Sequence, residues 1–161
     1  MHLNYWLLLA TGLIPSAVGF LWYNPFVMGK KWMATVGISD ESMVGANMPL
    51  IFLLSYLFGC MISLGLHTMV IHQMAFTSIL QGDESADTLQ VMNTFLQKYG
   101  TRFRSFKHGA FHGILTAIFI VLPIIGVNAI WVRKSAKYIF IHVGYWAICM
   151  ALIGGVICAF M

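Results

Sequence analysis

The chain has 161 residues, 60% hydrophobic and 9% charged, and a mean hydropathy of +0.83. A soluble domain carries about 25% charged residues, so this balance excludes a soluble globular fold. The net charge of +4 does not mark a nucleic-acid surface: its basic residues fall in loops and helix ends, where they meet lipid headgroups.

Four apolar stretches fill most of the chain: Leu3–Tyr23, Pro49–Ile71, Ala110–Val132 and Tyr138–Phe160. None contains Asp, Glu, Lys or Arg. Each reaches about 20 residues, the length a helix needs to cross ~30 Å of hydrocarbon. Backbone polar groups in lipid must be satisfied within the segment, so helices are expected and strands are not. The fold class is therefore all-α, a polytopic membrane protein with four transmembrane helices in a single domain over residues 1–161.

The first stretch lacks a basic leader in Met1–Trp6 and ends in Trp22-Tyr23-Asn24-Pro25 rather than a small-residue cleavage site. It reads as a retained span, not a signal peptide. Asn24 suits an N-cap and Pro25 a first helical position, so a second helix can start there. Lys30, Lys31 and Trp32 then belong in the headgroup region, with Gly37 as a stop. Ser39-Asp40-Glu41 is a further helix-start signal before span two. Pro15 and Pro123 should kink spans one and three.

The long connection Thr77–Lys107 is the main element outside the membrane. Leu89, Met92, Leu96, Tyr99 and Phe103 recur at spacings of three and four and predict one apolar helix face. Asp83, Glu84 and Asp87 stand at its start, and Lys98, Arg102, Arg104 and Lys107 at or beyond its end, as the helix dipole favours. Gly100 is a stop or a kink. The expectation is an amphipathic interfacial helix between spans two and three, lying on the bilayer or packed on a neighbouring subunit.

The third connection, Arg133 to Lys137, is short and makes spans three and four an antiparallel hairpin. Both termini and the long connection share one side. That side holds Lys98, Arg102, Arg104 and Lys107; the other holds Lys30, Lys31, Arg133, Lys134 and Lys137. The small excess of Lys and Arg leans loops one and three toward the cytoplasm.

Small residues repeat every four positions at Ser55-Gly59-Ser63, Gly109-Gly113-Ala117 and Ala151-Gly155-Ala159. Such stripes let helix backbones approach in lipid. Three stripes exceed what one four-helix bundle needs, so a homo-oligomer, a dimer or trimer, is an expected use of one of them.

Histidine is the polar residue with most to say. His67 and His72 lie near the end of span two, and His108 and His112 near the start of span three, so all four belong at one membrane face. His108 and His112 are four apart and share a helix face. His67 extends the small-residue stripe of span two and should point into the bundle. His72 is five residues on, about 140° round a continuous helix, and so should not share a ligand with His67. A metal site of His67, His108 and His112 is one reading, since imidazole suits Zn, Cu, Fe or Ni. Haem held between a histidine of span two and one of span three is a sub-case. A proton- or ion-handling site is another, since histidine titrates near neutrality. The plain alternative is interfacial histidines bonded to headgroups, backbone or water.

At the opposite face Tyr23, Asn24, Asn128, Trp131, Tyr138 and, deeper, His142 form a polar and aromatic group. Asn24, Asn128, His142 and Tyr145 are the expected members of a buried polar network, with Asn128 making an interhelical hydrogen bond. Cys60, Cys149 and Cys158 lie in spans and read as small buried residues. No nucleophile-base pair, phosphate-binding glycine loop, paired carboxylate or His-Glu-x-x-His pattern occurs, which argues against an enzyme.

Several segments together carry a resemblance. They are Gly19-Phe20-Leu21-Trp22-Tyr23-Asn24-Pro25, Gly29-Lys30-Lys31-Trp32-Met33, Gly45-Ala46-Asn47-Met48, His108-Gly109-Ala110-Phe111-His112-Gly113, Leu122-Pro123 with Asn128, Lys134-Ser135-Ala136-Lys137-Tyr138 and Gly144-Tyr145-Trp146. In this order they resemble a bacterial membrane family, domain of unknown function seventeen-sixty-one. The resemblance implies a small four-span protein of a bacterial cytoplasmic membrane and supplies no activity or cofactor. The expected roles are ion or proton handling, as a small transporter or an accessory membrane subunit; membrane metal or haem binding; or a structural or lipid-binding scaffold. The bilayer is the expected partner, with no nucleic acid.

Overall fold

A computed structural model of the protein describes residues 3–39 and 41–161. Among them the chain is helical with no strand, and four helical segments are long and apolar enough to cross a membrane: Tyr5–Trp22, Met48–Val70, Phe106–Trp131 and Ala136–Phe160.

Span one is two helices, α1 (Tyr5–Thr11) and α2 (Ile14–Trp22), joined at Gly12-Leu13. Pro15 sits at the start of α2, where a missing N–H costs least. The expected mid-span kink is therefore a restart. Span three behaves alike. α7 (Phe106–Thr116) passes through a wider π-helical turn, Ala117–Val121, into α8 (Leu122–Trp131), and Pro123 opens α8. The wider turn lets a proline ring sit in a long apolar helix without clashing with the preceding carbonyl.

The polar caps lie where their chemistry directs. Asn24 accepts from the Phe26 N–H at 3.0 Å and opens a π-helical turn, Pro25–Gly29, that leads into α3 (Lys30–Val36). Gly37 ends α3 in the left-handed conformation, at φ 80°. The start signal at Ser39-Asp40-Glu41 includes Asp40, which lies outside the described residues; a short 3-10 turn, Glu41–Met43, follows. Asn47 caps α4 (Met48–Val70), Ser85 caps α6 (Ala86–Tyr99), Ser105 caps α7 and Ser135 caps α9 (Ala136–Phe160), each through a side-chain oxygen.

The long connection holds α5 (Gln73–Ile79) and α6 (Ala86–Tyr99). Met92, Leu96 and Tyr99 are half-buried as the spacing predicts, but Leu89 is exposed and Phe95 joins the covered face by stacking on Phe76 of α5 at 3.8 Å. Phe103 falls beyond the helix. Gly100 keeps right-handed geometry, and the left-handed residue of the following turn is Phe103, at φ 64°.

The core gathers at the long-connection end. It comprises Leu66, Val70, Ile71, Ala117, Met150, Ile153, Ile157 and Cys158 with Leu8 of α1. The glycines of the stripes make it compact. A side chain at Gly109 would strike the Gly154 carbonyl, and one at Gly113 the Met150 carbonyl, so α7 and α9 touch backbone to backbone. Gly59 meets Gly12, the hydroxyls of Ser63 and Thr11 lie 3.0 Å apart, and Gly155 meets the Phe106 ring. The glycines of all three stripes thus face neighbours within the chain, which removes the argument that one stripe is spare for a second copy.

Candidate metal centre

α4 ends at Val70. Ile71 is extended, at φ -106° and ψ 91°, and turns its side chain into the core, where 1% of it is exposed. The break re-aims everything after it. His72 no longer follows the helical rotation of α4; it stands at the N-cap of α5 and faces α7. Its Nε2 lies 2.9 Å from Nε2 of His108 and 3.2 Å from Nε2 of His112. The ligand nitrogens of these three residues all lie within 4.8 Å of one another.

His67 goes elsewhere. It is buried in the core, as the stripe of span two predicts, and its Nδ1 has no partner among the described residues. Of His67, His108 and His112, the structure brings the last two together, with His72 and not His67 beside them. The 140° separation between His67 and His72 assumed an unbroken helix, and the turn at Ile71 removes that assumption.

The surroundings hold the imidazoles. The Phe103 ring stacks on His108 with centroids 5.0 Å apart and planes 16° apart. Phe103 is fixed by its own backbone: its carbonyl lies 3.3 Å from the Cys158 thiol, and Arg104 donates from Nε to the Cys158 carbonyl at 3.0 Å. Left-handed geometry is costly for an aromatic residue, and the flanking anchors on α9 hold it there. On the other side Gln73, itself buried, donates from Nε2 to the carbonyls of Tyr99 and Arg102, both at 2.8 Å. These bonds tie the end of α6 beside His72.

One ring nitrogen carries either one hydrogen or one lone pair. His72 Nε2 therefore cannot make two full hydrogen bonds at once, although two nitrogens stand within hydrogen-bond distance of it. A cation that takes all three lone pairs satisfies the arrangement. An ion bound tetrahedrally at ~2.0–2.1 Å sets its ligand nitrogens ~3.3 Å apart, close to the spacings of His72 to its neighbours. The donor set is all imidazole, which fits zinc and its divalent neighbours.

The opposite end of the bundle is arranged differently. The Tyr23 hydroxyl lies 3.3 Å from His142 Nδ1, and the Tyr145 hydroxyl donates to the Pro15 carbonyl at 2.8 Å. Trp22 donates from Nε1 to the Ile141 carbonyl at 3.1 Å. Rings of Tyr138 and His142 lie 4.3 Å apart, and those of Tyr23 and Trp32 5.2 Å. His142 and Tyr145 are thus brought together around Tyr23. Asn24 acts on its own turn, and Asn128 is exposed on α8, away from the group.

Outside the membrane, Asp83 accepts from the Thr88 hydroxyl at 2.6 Å and from the Ser85 N–H at 2.9 Å. The Thr88 bond first, then those from Ser85, hold its carboxyl below the usual carboxylate range.

The two ends and the hairpin between them carry the segments on which the family resemblance rests. The sequence pattern described as Protein of unknown function (DUF1761) matches residues 6–158. The chain belongs to that family. No curated protein and no solved structure matches it. The histidine cluster of this family member draws two residues from the segment His108–Gly113 and the third from the break after span two.

Proposed function

We propose that this membrane protein binds a divalent transition metal through Nε2 of His72, His108 and His112, at the face that carries the long connection. The observation behind the proposal is the convergence of three imidazole nitrogens on one point. Three neutral ligands leave a coordination position for water or a ligand, as in zinc sites that act as Lewis acids rather than as structural clips. Haem is a poorer fit. It needs two imidazoles on opposite faces of a plane, and here His108 and His112 stand side by side on one helix face, with Nε2 atoms 2.9 and 3.2 Å from that of His72.

Ion or proton handling across the bilayer is the competing reading. It needs a route from the triad to the polar group at the other end. Gly154, beside the triad's helix, and His142 are 12 residues apart on α9, about 18 Å. Cys149, Met150 and Ile153 of α9 and Ala117 of span three fill that interval, all buried. The packing favours a local metal site over a conduit.

The test is metal content. Protein purified in mild detergent, stripped with chelator and reloaded with Co(II), should bind one equivalent and show the visible bands of a tetrahedral nitrogen site. Changing His72, His108 or His112 to Ala should weaken binding by at least about 100-fold, since even second-shell partners are worth 10–100-fold. His67→Ala should keep the stoichiometry. Absence of Co(II) and Zn(II) binding by the wild type, with the fold intact by circular dichroism, would sink the reading.

A further inference from the structure

A cavity of about 300 Å³ opens beside the triad, lined by His72, Gln73, Phe95, Tyr99, Arg102 and Phe103. That is the lower end of the range for small-molecule sites and roughly ten water volumes. Its walls are mostly aromatic rings. Its charge is one-sided: the Arg102 guanidinium sits 5.1 Å over the Phe103 ring and 5.7 Å over the Tyr99 ring. Stacking on ring faces fixes the plane of an arginine and leaves its N–H fork free for an oxyanion. The cavity is built rather than incidental, because buried Gln73 holds the backbone of both Tyr99 and Arg102.

Resting on the metal reading above, we infer that this cavity binds a small amphiphile with a carboxylate head and an apolar body. One carboxylate oxygen takes the open position of the metal held by His72, His108 and His112. Arg102 pairs with the carboxylate from the other side, and the body lies against Phe95, Tyr99 and Phe103. Metal and guanidinium supply two positive groups in a site whose lining holds no acidic residue. The volume suits a medium chain or a single ring rather than a whole phospholipid. The cavity also lies at the end of span two, where a bilayer delivers amphiphiles.

The experiment uses the full chain in phosphatidylcholine nanodiscs, loaded with Co(II) and titrated with decanoate. Decanoate should shift the visible Co(II) bands saturably. Arg102→Gln should weaken the decanoate response by about tenfold or more, the worth of one charge-assisted hydrogen bond, with Co(II) stoichiometry unchanged. Decanol, which lacks the anion, should not shift the bands, and acetate, which lacks the body, should act only at far higher concentration. If Co(II) binds and decanoate changes nothing, the inference is wrong and the metal site stands. It is equally overturned if acetate matches decanoate, since the aromatic walls then contribute nothing. It is overturned too if decyl phosphate binds more tightly, since the head is then a phosphate. If Co(II) itself does not bind, the metal reading fails first and takes the inference with it.

Discussion

The two ends of the bundle hold similar residue types and put them to different uses. At the long-connection end, three histidines meet around one point, braced by a core that includes Val70, Ile71, Ile153 and Ile157. At the other end a single histidine, His142, sits among Tyr23 and Tyr138, and its Nε2 is buried with no partner among the described residues. The first half of α4, from Met48 to Phe58, has no buried residue, and Leu50, Phe52 and Phe58 are about half exposed to what is lipid in the membrane. Where backbones touch through glycine, side chains are positioned closely enough to converge. At the other end aromatic rings stand between the helices and hydrogen bonds stay pairwise.

The sharpest way to break this contrast is to apply the same small change at both ends. Gly109→Ala puts a methyl group into the Gly154 carbonyl, a backbone atom that cannot step aside. Gly144→Ala places its methyl 3.1 Å from the far edge of the Trp22 ring, which can tilt. The first should destabilise by about 3 kcal/mol, the upper part of the overpacking range, and the second by under about 1 kcal/mol. Thermal unfolding in one detergent would measure both. Equal effects would show that the long-connection end is not the tighter one.

Metal binding separates the ends next. His112→Ala should lower Co(II) affinity by at least about 100-fold, while His142→Ala should leave it within about twofold. The same protein should lose metal on acidification, because imidazole must be neutral to ligate. Atomic emission of dialysed samples across pH would record the loss. Metal retention unchanged at pH 5 would count against an imidazole site.

A smaller effect probes the tyrosine end. Tyr145→Phe removes the bond to the Pro15 carbonyl and should cost about 1 kcal/mol. The triad's metal content should not change.

The smallest effect lies at the start of α6. Asp83 has its folded pKa below its unfolded value of 3.8, so its contribution is present above that value and lost as pH falls through the folded one. Asp83→Asn should therefore raise amide exchange at Ala86–Leu89 at pH 7, and the difference from wild type should vanish at pH 2. A difference that persists at pH 2 would mean the carboxylate charge is not what holds the turn.

Much of this architecture was legible in the chain. The four spans follow from apolar length and the absence of charge, because lipid leaves the backbone no alternative to a helix. The helix start at Asn24 follows from a side chain that can accept from a free N–H group, while the caps at Asn47, Ser85, Ser105 and Ser135 were found only in the structure. Span three begins four residues earlier than apolar length suggested, at Phe106 rather than Ala110, since Ser105 caps it and polar residues are at home in its first turn.

Apolar length, charge and chain order thus settle the surrounding medium, the four spans and the face on which His72, His108 and His112 meet. The third histidine of the cluster was decided only by tertiary structure. Helical periodicity places His67 toward the bundle and His72 away from it, and both statements hold only while the helix continues. The core draws Ile71 inward, the backbone leaves helical geometry there, and His72 swings onto α7 while His67 stays sealed in apolar packing. Phe103 was hidden for the same reason: as part of a regular face it would line α6, but a left-handed turn held by Cys158 and Arg104 lays its ring on His108. Periodic rules describe regular segments, and the residues that build this site stand where two segments stop being regular.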